Sequence, residues 1–464
     1  MKLPARLLTF LRLWGLDRAV AYTVVGRGWA VLAGPVSLFF IARFLRPDEQ
    51  GFYYTFGSIL GLQIFFELGL SSVLVHFASH EKAALEWTRE GTLTGDLTSK
   101  AKLASLLRKA SVWYGCMALL VVAIVGPAGF IFFQRYQPMG GGVEWQLPWV
   151  WIVLVSAASL FVSPVFALLE GCGLVAEIAF MRACQGIAGS LLLWLALIAG
   201  WGLFAAPLLN TIGLLWAIIW LARRKKGFLR DLLPFRFGSI TVNWRREVWQ
   251  FQWKIALSWL SSYFIFQLFN PVLFAFHSAA EAGRMGMSIN VMTSISMIAA
   301  AWVSTKAGPF GALIARREYD KLDRLFFPAL WQSILVVAIG GVSFWLAVAF
   351  LNSINHPLSL RLLAPLPLAL LVATSILNLV VYVEAVYLRS HKQEPFLAIS
   401  ILIGCLVGLS TYWLGKPFGA TGMMVGFFVI NLVLGLGVGT WVFARKRRLW
   451  HKEVSEPEGI EIIA

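Results

Sequence analysis

The chain has 464 residues, 59% of them hydrophobic and only 13% charged, with a mean hydropathy of +0.75. A soluble globular protein carries about 25% charged residues, so this composition excludes a soluble enzyme and leaves no room for a sizeable soluble domain. The 39 Lys and Arg against 23 Asp and Glu give a net charge of +16, which in a membrane chain is first a matter of sidedness.

Residues 1–18 (MKLPARLLTFLRLWGLDR) are basic and amphipathic. They lack the continuous apolar core and small-residue cleavage site of a signal peptide, and so read as an interfacial helix. Twelve apolar stretches follow, at 19–44, 52–76, 111–133, 148–170, 183–200, 205–222, 255–276, 285–305, 327–351, 362–388, 396–414 and 420–444. They are too long and uniformly apolar for barrel strands, so the expected fold is all-α integral membrane with twelve transmembrane helices. Trp145, Trp149 and Trp151 cluster at the start of the fourth stretch and are expected at the membrane interface.

The basic segment 223–254 falls at the centre of the chain and reads as a cytoplasmic linker between six-helix bundles at 19–222 and 255–444, with a tail at 445–464. The bundles resemble each other. FLRPDEQGFYYTFGSIL and FHSAAEAGRMGMSINVM align with an offset of 232 residues, pairing Glu49 with Glu281 and Gly51 with Gly283. Six crossings per half give both halves one orientation, the pseudo-symmetric layout of transporters. Counting Lys and Arg in alternate connections gives 32 on the side of the two termini and 5 on the other, which assigns both termini to the cytoplasm.

Glu67, in FFELGLSS, lies deep in the second stretch, with Gln63 and Ser71 one turn to either side. A carboxylate there has to face a water-filled cavity, pair with a cation or hold a proton. A second polar stripe runs through Tyr263, Gln267 and Asn270, and Asn290 and Ser294 lie one turn apart in the eighth stretch. These residues are expected to line a polar cavity; hydrogen bonding between helices uses the same residue types. Arg27, between Gly26 and Gly28, either holds a diphosphate, snorkels to headgroups or pairs with Glu67. Pro35 and Pro271 interrupt the first helix of each half and are candidate hinges. Glu384, Glu170, Glu177 and Arg182 lie near span ends and read as structural. Four scattered cysteines and six histidines show no ligand or triad spacing, so neither a metal site nor a catalytic residue is expected. A GxxxxGK[ST] phosphate loop is also missing.

The stretch from Ala42 to Glu81 resembles the first hairpin of the polysaccharide or O-antigen (Wzx-like) flippases of the multidrug/oligosaccharidyl-lipid/polysaccharide exporter superfamily. Arg43, Leu45, Pro47, Gly51 and Tyr53 match its first motif, and Glu67, Gly69 and Leu70 its D/E-x-G-L. Arg46 replaces a glycine of that pattern. PFGALIARREYDKLDRLF after the eighth stretch and LLEGCGLVAEI after the fourth are similar to further family segments. The resemblance implies two six-helix bundles around a cavity lined chiefly by spans 1, 2, 7 and 8, opening alternately to each side. It implies a cargo of undecaprenyl-diphosphate-linked sugar moved to the outer leaflet of the inner membrane; the sequence leaves H⁺, Na⁺ or no ion open as the driving ion, and no other cofactor is expected. Partners then include the lipid-linked oligosaccharide, anionic membrane lipids, a polysaccharide polymerase and glycosyltransferases, but no nucleic acid. A cation-coupled multidrug antiporter of the same fold and a membrane scaffold of a polysaccharide synthase are the alternatives.

Overall fold

The computed structural model describes residues 18–137, 142–233, 260–261, 263–391 and 393–455. Nearly all of the amphipathic segment 1–18, most of the basic linker 223–254 and the end of the tail lie outside the described residues. The chain forms two compact units, Met1–Leu260 and Ser261–Ala464.

The first unit opens with α1 (Arg18–Phe44), which runs through Pro35 as one uninterrupted helix. It packs along the later helix at Val175–Ile198, where the Trp29 and Trp194 indoles donate to Ser190 and Ser37, each at 2.9 Å. Such small hydroxyl partners hold membrane helices together where burial of apolar surface provides no driving force. The second crossing is broken. It comprises α2 (Pro47–Leu60), a 3₁₀ turn at Gly61–Gln63, α3 (Ile64–Glu67) and α4 (Leu70–Lys82), with a 46° bend at the break before α4.

A two-stranded antiparallel hairpin follows, β1 (Leu85–Trp87) with β2 (Leu93–Gly95), pairing Leu85 with Gly95 and Trp87 with Leu93. The expectation of helix alone did not include this hairpin. Asp96 caps α5 (Leu97–Leu120), which passes through a π turn at Val121–Val125 into α6 (Gly126–Tyr136). The remaining helices of this unit are α7 (Gln146–Gly171), α8 (Val175–Ile198), α9 (Ala205–Arg224) and the short α10 (Lys226–Leu232). Asp231 of α10 accepts from Lys100 at 2.7 Å and from the Leu93 amide at 3.2 Å, which ties the hairpin down.

Trp145 and Trp149 are buried among Phe52, Phe56 and Phe133. Each indole N–H finds an acceptor inside the unit, Gln137 Oε1 at 2.7 Å and the Gly126 carbonyl at 2.9 Å, so neither needs the headgroup region. A Cβ added at Gly129 would stand 2.1 Å from the Trp149 ring, which is why glycine is required beneath it.

In the second unit, residues 263–276 break at Gln267–Leu268 ahead of α11 (Phe269–Phe276). Pro271 explains the break, since its ring excludes the carbonyl four residues earlier and it has no N–H to donate. Then come α12 (Ala279–Ser304), α13 (Ala307–Ala315), α14 (Tyr319–Ser353), α15 (Pro365–Ser390), α16 (Leu397–Ile430), a π segment at Asn431–Gly439 and α17 (Thr440–Ser455). Helix α16 doubles back at Gly419, whose φ of 60° and ψ of −147° only glycine adopts readily. A Cβ at Gly426 would stand 2.9 Å from Ser410 Oγ, whereas sixteen residues of straight helix would separate them by about 24 Å.

Among the described residues nine helices are long and apolar enough to cross a bilayer, and the bent pair at Pro47–Glu67 and Leu70–Lys82 makes a tenth. One of the nine, Leu397–His451, is two crossings folded at Gly419, and the interrupted segment at 263–276 lies where the seventh apolar stretch was expected. Apart from the hairpin the described residues are almost entirely helical or in short turns, and the chain is a multi-pass membrane protein.

Candidate functional site

The break in the second crossing centres on Glu67. Leu68 and Gly69 both adopt the left-handed conformation, with φ of 52° and 66°, so α3 ends on Glu67 and α4 restarts at Leu70. The i, i+4 spacing predicts Glu67 and Ser71 on one face of a continuous helix. The helix is not continuous, yet the two still meet, and the Ser71 hydroxyl donates to Glu67 Oε1 at 2.5 Å. Tyr114 of α5, buried, donates to the same oxygen at 3.3 Å, and its hydroxyl lies 2.8 Å from Ser71 Oγ.

This carboxylate opens onto a cavity of about 860 Å³ within the first unit. Gln63, Glu67, Ser71 and Ser72 line it from α4 and the turns before it. Helix α7 presents Ser156, Ser159, Ser163 and Glu170, α8 presents Arg182 and Gln185, and α9 presents Asn210. Ser156 and Glu170 are fourteen residues apart, so this polar ladder runs about 21 Å along α7. Among the described lining residues Arg182 is the only cation, and Glu67 and Glu170 are the acids. Arg182 Nη2 meets Glu170 Oε2 at 3.3 Å, and its side chain is 59% exposed. Gln185 donates to the Gly213 carbonyl at 2.5 Å, which fixes one end of its amide.

Arg27 is exposed on α1 and is not part of this wall, and it makes no ion pair with Glu67. Glu170 and Arg182, read from the sequence as structural charges, belong to the cavity. Glu177 does not, and pairs with Lys225 at 2.8 Å.

The second unit holds a smaller cavity of about 370 Å³, and it is largely apolar. Phe266, Phe269, Met292, Met297, Leu371 and Phe427 dominate its wall, with Thr293, Ser296, Ser375, Asn378 and Tyr382 as its polar members. Tyr263 and Asn270 are buried, and Gln267 lies at the break before α11. None of the three lines this cavity, nor do Asn290 and Ser294. Ser294 donates to the Asn290 carbonyl one turn back at 2.9 Å, a bond within its own helix. The 232-residue offset places Ala299, fully buried, where the first unit has Glu67. Glu384 is also buried, on α15, and accepts from Thr440 Oγ1 at 3.3 Å.

No family model matches the chain, and no curated protein matches it. Solved structures do. A lipid II flippase, MurJ, in an inward closed conformation superposes with a TM-score of 0.63 at 9% identity, covering 93% of this chain and 90% of that one. The MATE multidrug transporter DinF-BH in complex with R6G gives 0.58 at 15% identity, covering 93% and 95%. An inward-facing multidrug resistance MATE family transporter of the MOP superfamily gives 0.54 at 15% identity, covering 90% and 99%. At these identities the likeness shows the fold: the chain has the architecture shared by these membrane transporters over nearly its full length.

Proposed function

We propose that the chain is a flippase that carries a polyprenyl-diphosphate-linked oligosaccharide from the cytoplasmic to the outer leaflet of the inner membrane by alternating access, for cell-surface polysaccharide synthesis. The observation that carries this reading is the wall of the cavity in the first unit, where serines run two turns along α7 and the amides of Gln63, Gln185 and Asn210 face them, interleaved with apolar residues such as Phe166 and Leu214. Serine, glutamine and asparagine offer paired donors and acceptors, which sugar hydroxyls match and a flat lipophilic cation does not. At about 860 Å³ the cavity lies at the upper end of the roughly 300–1,000 Å³ range of small-molecule sites. Glu67 holds the coupling H⁺ or Na⁺. Both termini are cytoplasmic in this reading, and a polymerase and glycosyltransferases act on either side of the step.

A cation-coupled multidrug antiporter is the second reading, supported by the membrane-embedded Glu67 and by the two multidrug transporters among the structural neighbours. Proteoliposomes loaded with a fluorescent polyprenyl-diphosphate-linked sugar separate the readings. A flippase makes the sugar accessible to an external lectin or quencher at a rate above that of protein-free vesicles. A drug exporter, or a scaffold of a synthase complex, leaves the sugar in its starting leaflet.

A further inference from the structure

Arg182 is the one cation among the described residues of the large cavity, and it is held lightly. A guanidinium carries five N–H donors, yet a single one reaches a partner here, Glu170 Oε2 at 3.3 Å. The pair is half exposed, with 59% of the Arg182 side chain and 28% of the Glu170 side chain accessible. An ion pair so exposed and met through one contact contributes little stability, so exchanging its anion costs little. A phosphate ester offers what Glu170 does not in this geometry, two oxygens to a planar fork, and bidentate contacts of that kind are the stronger ones.

The pair also stands in a telling place. Glu170 closes the polar ladder of α7, and Arg182 lies in the second turn of α8, just past the turn that joins the two helices. Ser163, Ser159 and Ser156 lie successively deeper along α7. A headgroup with phosphate nearest the lipid and sugars beyond it would lay its rings along that ladder with its phosphate at the charged end.

We infer that Arg182 is the phosphate-capturing residue of this cavity and that Glu170 is its built-in competitor, displaced when a phosphorylated lipid headgroup enters. This rests on the lipid-linked substrate class proposed above and moves the phosphate site from Arg27 to Arg182. Glu170 then keeps the guanidinium paired between cargoes and sets a threshold that weakly charged lipids do not cross.

Binding of polyprenyl diphosphate to the full-length protein in neutral-lipid nanodiscs tests this, with inorganic diphosphate and phosphatidylglycerol as separate competitors. Arg182→Ala should weaken binding about tenfold or more, the scale of a lost charge-assisted contact, and Arg182→Lys less. Glu170→Gln should tighten binding several-fold, because it removes the competitor, whereas a merely structural residue would weaken binding when altered. Competition by inorganic diphosphate well above that by phosphatidylglycerol is expected for a diphosphate site; equal competition by phosphatidylglycerol overturns it. Unchanged binding in Arg182→Ala, or weaker or unchanged binding in Glu170→Gln, overturns the exchange. Arg182→Lys and Glu170→Gln keep the test decisive where Arg182→Ala fails to fold. The leaflet assay is independent: a protein that binds diphosphate through Arg182 yet does not flip the lipid overturns the flippase reading alone.

Discussion

Ser71 and Glu67 are joined by a 2.5 Å hydrogen bond across a break in their helix, the hydroxyl on the first turn of α4 and the carboxylate on the last residue of α3. Two left-handed residues separate them, and Tyr114 closes the group from α5. The carboxylate is thereby fixed at the cavity wall by two donors from different helices.

Glu67→Gln retains a carbonyl oxygen for both donors and removes the charge. Transport driven by an imposed H⁺ or Na⁺ gradient should fall by at least about tenfold while the melting temperature stays within a few degrees. Gradient-driven transport at the wild-type rate would remove the coupling role. Ser71→Ala should cost on the order of 1 kcal/mol of stability and leave the gradient dependence in place.

Gly129 lies beneath the Trp149 ring with no room for a methyl group. Gly129→Ala should destabilise the first unit by about 1–3 kcal/mol through overpacking, read as a lower melting temperature in detergent. The double variant Gly129→Ala with Trp149→Phe should recover part of the loss, since the smaller ring vacates the space. A lack of recovery would mean that the indole does not set the limit.

His391, just past α15, stacks on Trp450 at 3.7 Å between ring centroids and holds the tail helix α17. Burial pushes its imidazole below the ordinary value of 6.5; the Tyr387 carbonyl opposes this, and neighbouring His451 adds to it. The folded protein therefore favours the neutral ring, and the stabilisation is complete above about pH 6.5 and declines as the pH falls below it. Proteolytic release of the C-terminal tail should accelerate as the pH falls below about 6.5, and His391→Gln should flatten that profile. Asp323, which receives two hydrogen bonds from Arg447, supplies a second anchor, so Arg447→Ala should raise tail release at every pH.

Sidedness is open to direct labelling. In a background with Cys116, Cys184 and Cys405 replaced by Ser, Glu90→Cys on the hairpin should react with an impermeant maleimide only after the cells are opened. Ser353→Cys, at the far end of α14, should react in intact cells. The reverse pattern would invert the orientation drawn from the 32 to 5 distribution of Lys and Arg.

The twelve crossings were legible because uniform apolar stretches have few physical solutions, and Glu67 stood out because a carboxylate in such a stretch is costly. The break after Glu67 was hidden. No proline marks it, and Leu68 takes a left-handed conformation that its residue type disfavours. Tyr114 was missed since it lies 47 residues from Glu67 on an otherwise ordinary helix, and only packing brings them together. Ser156, Ser159, Ser163 and Glu170 do share one face of α7 at i, i+3, i+7 and i+14, but single hydroxyls are compatible with any membrane helix and charges at span ends reach water cheaply, so the pattern alone did not mark a cavity. The hairpin at Leu85–Gly95 escaped because three-residue strands are too short to alternate recognisably.

The 46° bend beside Glu67 gives α4 the mechanics of a lever. Its thirteen residues make an arm about 20 Å long, pivoting where the carboxylate meets Ser71. A change of only 10° at that joint would swing the far end, which leads into the hairpin, by about 3.4 Å. An event at Glu67 that altered this angle would be amplified by geometry alone into a displacement the width of a water molecule or more.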